Sequence, residues 1–140
     1  MEKSFLINSF SQINLISNIL MIGVSLVVQI IIYPSFKFIQ KVSFKEYHLN
    51  YMNKMSYVVA PIMLLEIISS FLLLFFNKSL SDIYGFILLS LVWFVTFIFI
   101  VPLHNQLNIK FGIIDLKKLI KLNLIRTFLW IFKFVIIIKI

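Results

Sequence analysis

Four apolar stretches, at residues 13–36, 57–76, 84–103 and 116–138, leave this chain few folds to choose from. A helix needs about 20 apolar residues to cross the hydrocarbon core of a bilayer, and each stretch reaches that length. The expected fold is all-α: a four-transmembrane-helix bundle in which residues 1–140 form one integral membrane domain. With 61% hydrophobic and 13% charged residues, the chain is too apolar for a soluble globular domain. The first stretch is long and has no small-residue cleavage site before Tyr33-Pro34, so it reads as a retained helix, not a signal peptide.

Composition also removes whole classes of chemistry. There is no cysteine, which excludes disulfides, thiolate metal sites and thiol redox, including a disulfide-relay quinone reductase. The net charge of +8 invites a nucleic-acid reading. Its lysines lie between apolar spans, however, and not on a soluble basic face with interleaved aromatics. Membrane orientation and contact with anionic lipid account for them, and nucleic acid is not an expected partner. A single alanine, Ala60, and an excess of Ile, Phe, Lys and Asn resemble AT-rich codon bias, so much of the apolar composition carries no functional information.

The connectors set boundaries and direction. Ser43-Phe44-Lys45-Glu46 has capping-box form, which predicts that helix 2 starts near Phe44 outside the membrane. That helix is extended into the cytoplasm and continues inward past Pro61, where a kink is expected. Asn77-Lys78-Ser79 reads as a turn, with Ser81 or Asp82 capping helix 3; Pro102 falls in the last turn of that helix, and Asp115 is the expected N-cap of helix 4. The two long connections carry Lys37, Lys41, Lys45, Lys54, Lys110, Lys117, Lys118 and Lys121, against Lys3, Lys78 and Lys139 on the other side, with Lys133 near them. The positive-inside rule then makes those connections cytoplasmic and both termini external.

Polar residues at helical spacing mark the inward faces. Helix 1 carries Asn18, Ser25, Gln29 and Tyr33; helix 2 carries His48, Tyr51 and Glu66; helix 3 carries Trp93, Thr96 and His104; helix 4 carries Asn123, Arg126, Thr127 and Trp130. Glu66 sits near the middle of an apolar run, where a charge costs at least ~3 kcal/mol and marks a site or an internal ion pair. Arg126 lies about ten residues into helix 4, or roughly 15 Å at the α-helical rise, which makes it the expected partner of Glu66. The pair either fixes helix register, or Arg126 orients Glu66 or binds a ligand carbonyl or anion, or Arg126 snorkels to the interface. His48 lies roughly 27 Å along the helix from Glu66, so those two cannot share an ion. His48 and His104 both lie near cytoplasmic helix ends and can converge, with Gln29 and Tyr33 at the same level. Two imidazoles without a third ligand are a weak metal signal, and no metal site is assigned. The five tyrosines, Tyr33 included, fall where an interfacial aromatic belt would be, and Trp93 and Trp130 read as lipid-facing or filler.

Five segments taken in order carry a resemblance. They are Gln29-Ile-Ile-Ile-Tyr33-Pro34, Phe44-Lys-Glu-Tyr-His48, Pro61-Ile-Met-Leu-Leu-Glu66, Val101-Pro102-Leu-His104 and Asn123-Leu-Ile-Arg126-Thr127-Phe-Leu-Trp130. Together they resemble a family of small four-helix bacterial membrane proteins of unknown function, similar to the anthrone-oxygenase-like domain. That resemblance implies oxidation of a hydrophobic polycyclic phenol without an obvious metal, and brings no catalytic residues with it.

The functional expectation is an intramembrane polar pocket that binds or oxidises a lipophilic small molecule of quinone, phenol or isoprenoid class. Glu66, Arg126, His48 and His104 are the candidate catalytic residues, and Gln29, Tyr33, Tyr51, Asn123, Thr127 and Trp130 the candidate ligand-binding ones. Glu66 or a histidine would act as base, with Arg126 and Asn123 holding a developing oxyanion. The alternatives are a non-enzymatic accessory subunit or small transporter, in which the stripes are helix–helix glue, and a haem or metal protein built on the two histidines. No cofactor is specified; membrane lipid is the expected environment, and a homo-oligomer is compatible with the pattern. A topology reporter fused to the C-terminus should be active only outside the cytoplasm; a cytoplasmic signal would reverse the assignment.

Overall fold

A computed structural model describes residues 2–139, all of them in helices or short connections with no strand. Four helical rods follow one another: α1 (Glu2–Phe38), α2 (Lys41–Phe76), α3 (Leu80–Ile109) and α4 (Ile113–Lys139). Connections of only a few residues force sequential neighbours to run antiparallel. α1 packs on α2, α2 on α3 and α3 on α4, and α4 closes against α1, so α2 and α4 face each other across the bundle axis.

The bundle is inverted relative to a soluble one. Among the described residues, 14 buried hydrophobic side chains are matched by 14 buried polar or charged ones. The outside meanwhile presents Ile16, Ile30, Phe71, Phe75, Phe94, Phe97 and Phe132. In water such a surface would drive aggregation. α1, α2 and α3 are each long and apolar enough to cross a membrane. α4 is shorter, at 27 residues, and Lys121, Arg126, Lys133 and Lys139 distribute charge along its length.

Two local irregularities place the later site. α1 widens into a π-turn at Val28–Ile32 and α3 does the same at Thr96–Ile100. In each case the residue after the turn bonds five residues back, Tyr33 N–H to Val28 O and Val101 N–H to Thr96 O. A proline then comes directly, Pro34 or Pro102. Proline has no N–H to give and its ring crowds the carbonyl four residues earlier, so a wider turn just before it relieves both problems. The extra residue rotates the remainder of the helix by about 100°, which sets the facing of Tyr33 and His104. Pro61 produces no such turn: α2 is helical through it.

Three of the expected caps are corrected. α2 begins at Lys41 with Gln40 as N-cap and no side-chain cap bond; Ser43 Oγ donates to Gln40 O at 3.2 Å instead of capping with Glu46. The reciprocal capping box sits at the start of α3, where Ser79 is N-cap and Asp82 its partner, in place of Ser81 or Asp82 as the cap. Asp115 lies inside the first turn of α4, 3.8 Å from Lys118, and not at the cap. Physically, Ser43 is already helical, so its hydroxyl has no free N–H ahead of it to accept from. Ser79→Ala should therefore cost about 1 kcal/mol in equilibrium unfolding in detergent, whereas Ser43→Ala should be close to neutral.

Candidate functional site

The buried polar residues form two clusters, joined at Trp130. The first is built around Glu66, which is 0% exposed. Lys133 Nζ donates to Glu66 Oε1 at 2.6 Å, Asn18 Nδ2 to the same oxygen at 3.0 Å, and Trp130 Nε1 to Oε2 at 3.0 Å. Asn14 supports the backbone behind it, donating to Glu66 O and to Ser69 Oγ, both at 3.1 Å. The partner of Glu66 is thus Lys133 and not Arg126. Lys133 is itself 0% exposed, so it does not belong with the charges of the outer face. The reason is helical phase: residues 126, 130 and 133 fall on one face at i, i+4 and i+7, and the last of them reaches the carboxylate. The lysine stem passes Gly85, whose Cβ position lies 3.9 Å from Lys133 Cε, an ordinary contact distance.

Arg126 heads the second cluster, 7% exposed. Its Nη2 donates to Asn123 Oδ1 at 2.8 Å and its Nη1 to Thr96 Oγ1 at 3.5 Å, while its guanidinium carbon lies 5.2 Å from the centre of the Trp130 ring. Nε is buried with no partner. Every one of these contacts is to a neutral group, and among the described residues no carboxylate pairs with Arg126. Asn123 in turn donates to Gln29 Oε1 at 2.8 Å and to Ser25 O at 3.3 Å, which ties α4 to α1. Thr127 shares a hydrogen bond with Ser25 Oγ and donates to Asn123 O at 2.8 Å.

Below Arg126 a chain of rings runs towards the end of the bundle where α1 and α3 finish. Tyr33 OH lies 2.9 Å from His104 Nε2, and His104 Nδ1 lies 2.9 Å from His48 Nε2. His48 Nδ1 meets Asn108 Oδ1, whose amide nitrogen donates to Met52 Sδ at 3.4 Å. An amide oxygen only accepts, so His48 Nδ1 carries a proton. With both rings neutral, every later step is then fixed: His104 donates to His48, and Tyr33 donates to His104. Phe36 and Phe44 pack on His48 at 5.3 and 5.2 Å between ring centres and hold it in place. The two histidines do converge, but all four ring nitrogens are engaged in hydrogen bonds. Among the described residues no three His, Cys, Asp or Glu side chains gather as a metal-binding group.

A cavity of about 160 Å³ opens beside these groups, its polar wall made by Tyr33, Tyr51, Ser56, Thr96, His104 and Arg126 and its remainder by Val24, Val28, Met55 and other apolar residues. It brings together four of the sequence candidates, Tyr33, Tyr51, His104 and Arg126. His48 stands behind His104. Gln29, Asn123 and Thr127 brace Arg126 and do not line the space. Glu66 lies in the other cluster, and Trp130, expected to face lipid or fill space, is fully buried between the two. Tyr33 is likewise buried and not part of a belt, unlike Tyr57 at 81% exposure. Asn14, Ser69 and Asn108 were not expected. Single Asn and Ser residues on apolar helices give no spacing signal beyond that of any polar residue at an inward position.

Removing one member of a buried ion pair leaves the other charge uncompensated, a cost of about 3–5 kcal/mol, while replacing both by neutral groups is often tolerated. Glu66→Gln and Lys133→Met should each lower unfolding stability in detergent by that order, and the double variant should recover most of it. Glu66→Gln combined with Arg126→Gln should show only the sum of the two single effects; a coupling energy beyond that sum would restore the Glu66–Arg126 pairing. Comparison with family models, characterised proteins and solved structures finds no match to this chain, so what the site does rests on its own geometry.

Proposed function

We propose that this chain is an integral membrane protein that binds the oxygen-bearing head of a lipophilic small molecule, of quinone or phenol class, in the cavity at Arg126. One observation carries the reading: among the described residues, the buried interior holds two cations, Arg126 and Lys133, against a single carboxylate, Glu66, which Lys133 already neutralises. A buried guanidinium without a counter-charge costs several kcal/mol. It is also the side chain best shaped to take a carbonyl or an oxyanion through two parallel N–H groups. The Tyr33, Tyr51 and Thr96 hydroxyls supply further partners around the same space. Few polar groups converging in an otherwise apolar pocket is the usual form of a small-molecule site.

In this reading all four helices cross a bacterial inner membrane, with α2 projecting into the cytoplasm and bent at Pro61. Taking the buried Lys133 out of the charge count sharpens the asymmetry that puts the basic end inside. The cavity then belongs to the cytoplasmic half. Oxidation of the ligand, the activity implied by the resemblance to anthrone oxygenases, would need dioxygen or another electron acceptor at this cavity. The accessory-subunit reading draws on the side-chain bonds that tie helix to helix, such as Asn14 to Glu66 O and Asn123 to Ser25 O. It differs in expecting no ligand.

A hydrogen bond to a charged group contributes about 1.5–3 kcal/mol, so Arg126→Gln should weaken binding of ubiquinone-2 by about tenfold to a hundredfold in calorimetric titration. Arg126→Lys should keep part of the affinity, because the charge stays while the planar fork is lost. Unchanged binding by a folded Arg126→Gln protein would refute the site.

A further inference from the structure

The cavity at Arg126 is small for the kind of ligand proposed. It holds about 160 Å³, whereas pockets that enclose a drug-sized ligand run to about 300–1,000 Å³. One ring with its oxygens fills such a space, and a longer lipophilic molecule must leave part of itself elsewhere. The fold has a place for that part. Between α1 and α2 lies an open groove of about 520 Å³, lined by Ile19, Leu20, Gly23, Val27, Ile32 and Val58, without a charged or hydroxyl-bearing side chain. Val24, Val28 and Met55 line both the groove and the cavity, so the two spaces adjoin.

Gly23 strengthens the assignment. A glycine inside a helix costs roughly 1 kcal/mol relative to alanine, and close packing is the usual reason to keep one. No packing demands it here: a Cβ at Gly23 would meet nothing within 4 Å. By contrast Gly85 faces the Lys133 stem. The missing side chain at Gly23 leaves a shallow trough on an otherwise bulky helix, and that trough leads to the buried guanidinium.

Resting on the head-group reading above, we infer that the ligand is a chain-bearing amphiphile, a quinone or phenol with an isoprenoid or alkyl tail. It enters sideways from the bilayer between α1 and α2, seats its oxygens at Arg126, and leaves its tail in the groove over Gly23. Lateral entry fits the chemistry, because such a molecule is dissolved in the hydrocarbon and never has to cross the basic inner surface. The head group selects by hydrogen bonding, while the groove asks only for apolar length.

The test uses full-length protein in detergent at fixed micelle concentration, titrated with ubiquinone-0, which has no tail, and ubiquinone-2, which has two isoprene units. Gly23→Phe and Val58→Trp fill the groove from α1 and α2 respectively. Both positions are exposed, Val58 at 48%, and helical circular dichroism with a melting curve checks the fold of each. Wild type should bind ubiquinone-2 at least tenfold more tightly than ubiquinone-0. The groove variants should abolish that advantage while leaving ubiquinone-0 affinity unchanged, and Arg126→Gln should weaken both ligands. Should one groove variant fail to fold, the other decides. Wild-type affinity for ubiquinone-2 in a folded groove variant, with Arg126→Gln still impaired, overturns the groove and spares the head-group site. If Arg126→Gln changes neither ligand, or wild type binds neither, the head-group reading fails and the groove assignment falls with it.

Discussion

The Glu66 carboxylate, clamped by Lys133, Asn18 and Trp130, is the constraint on which the rest of this bundle depends. Its donors come from α1 and α4 while it sits on α2, so one buried anion fixes the rotation of three helices at once. The outer face of the bundle is itself apolar, so there is little hydrophobic contrast to hold the helices together, and packing and internal polar bonds do it instead. Because the ion pair crosses the bundle axis, α2 and α4 are held in register without touching along their backbones to any extent. Once Trp130 is locked at its edge by its indole N–H, its ring face is held against Arg126, and the second cluster is positioned by the first.

That arrangement divides the interior by charge. Above Trp130 the charges cancel; below it a single guanidinium remains among neutral hydroxyls, amides and imidazoles. The polar stripes are therefore not one extended pocket. The upper half works as a brace, and the lower half, where an unmatched charge meets open space, is where a ligand would find something to bind.

Much of this was legible in the residues, for reasons of period and cost. Four long apolar runs and the inward phase of Asn18, Ser25, Tyr33, Glu66, His104, Asn123 and Arg126 follow from helical spacing and the expense of burying a polar group. Convergence of His48 and His104 followed from their positions near helix ends. Lys133 did not: a lysine near a helix end reads as interfacial, because its flexible stem usually carries the ammonium to water, and only the i+7 relation to Arg126 argued otherwise. The Ser79–Asp82 box was visible as a Ser-x-x-acidic pattern, but Ser43-x-x-Glu46 has the same form. Pattern alone cannot say which serine stands ahead of the helix and which is already inside it. The π-turns lay beyond reach as well, since Pro61 shows that a proline in an apolar run need not bring one.

Those two wide turns have a mechanical consequence. Each sits beside a proline, so the C-terminal ends of α1 and α3 are tied to the rest of their helices by fewer backbone bonds than a regular helix would provide. Tyr33 and His104 stand just past these soft points and hold each other. Backbone bonding is therefore regular where the ion pair lies and widened where the cavity opens. The floor of the cavity is made by the segments beyond the two wide turns, joined by the Tyr33–His104 bond and packed with Phe36, Phe44 and Leu107, so the spacing of its polar groups is set by those turns.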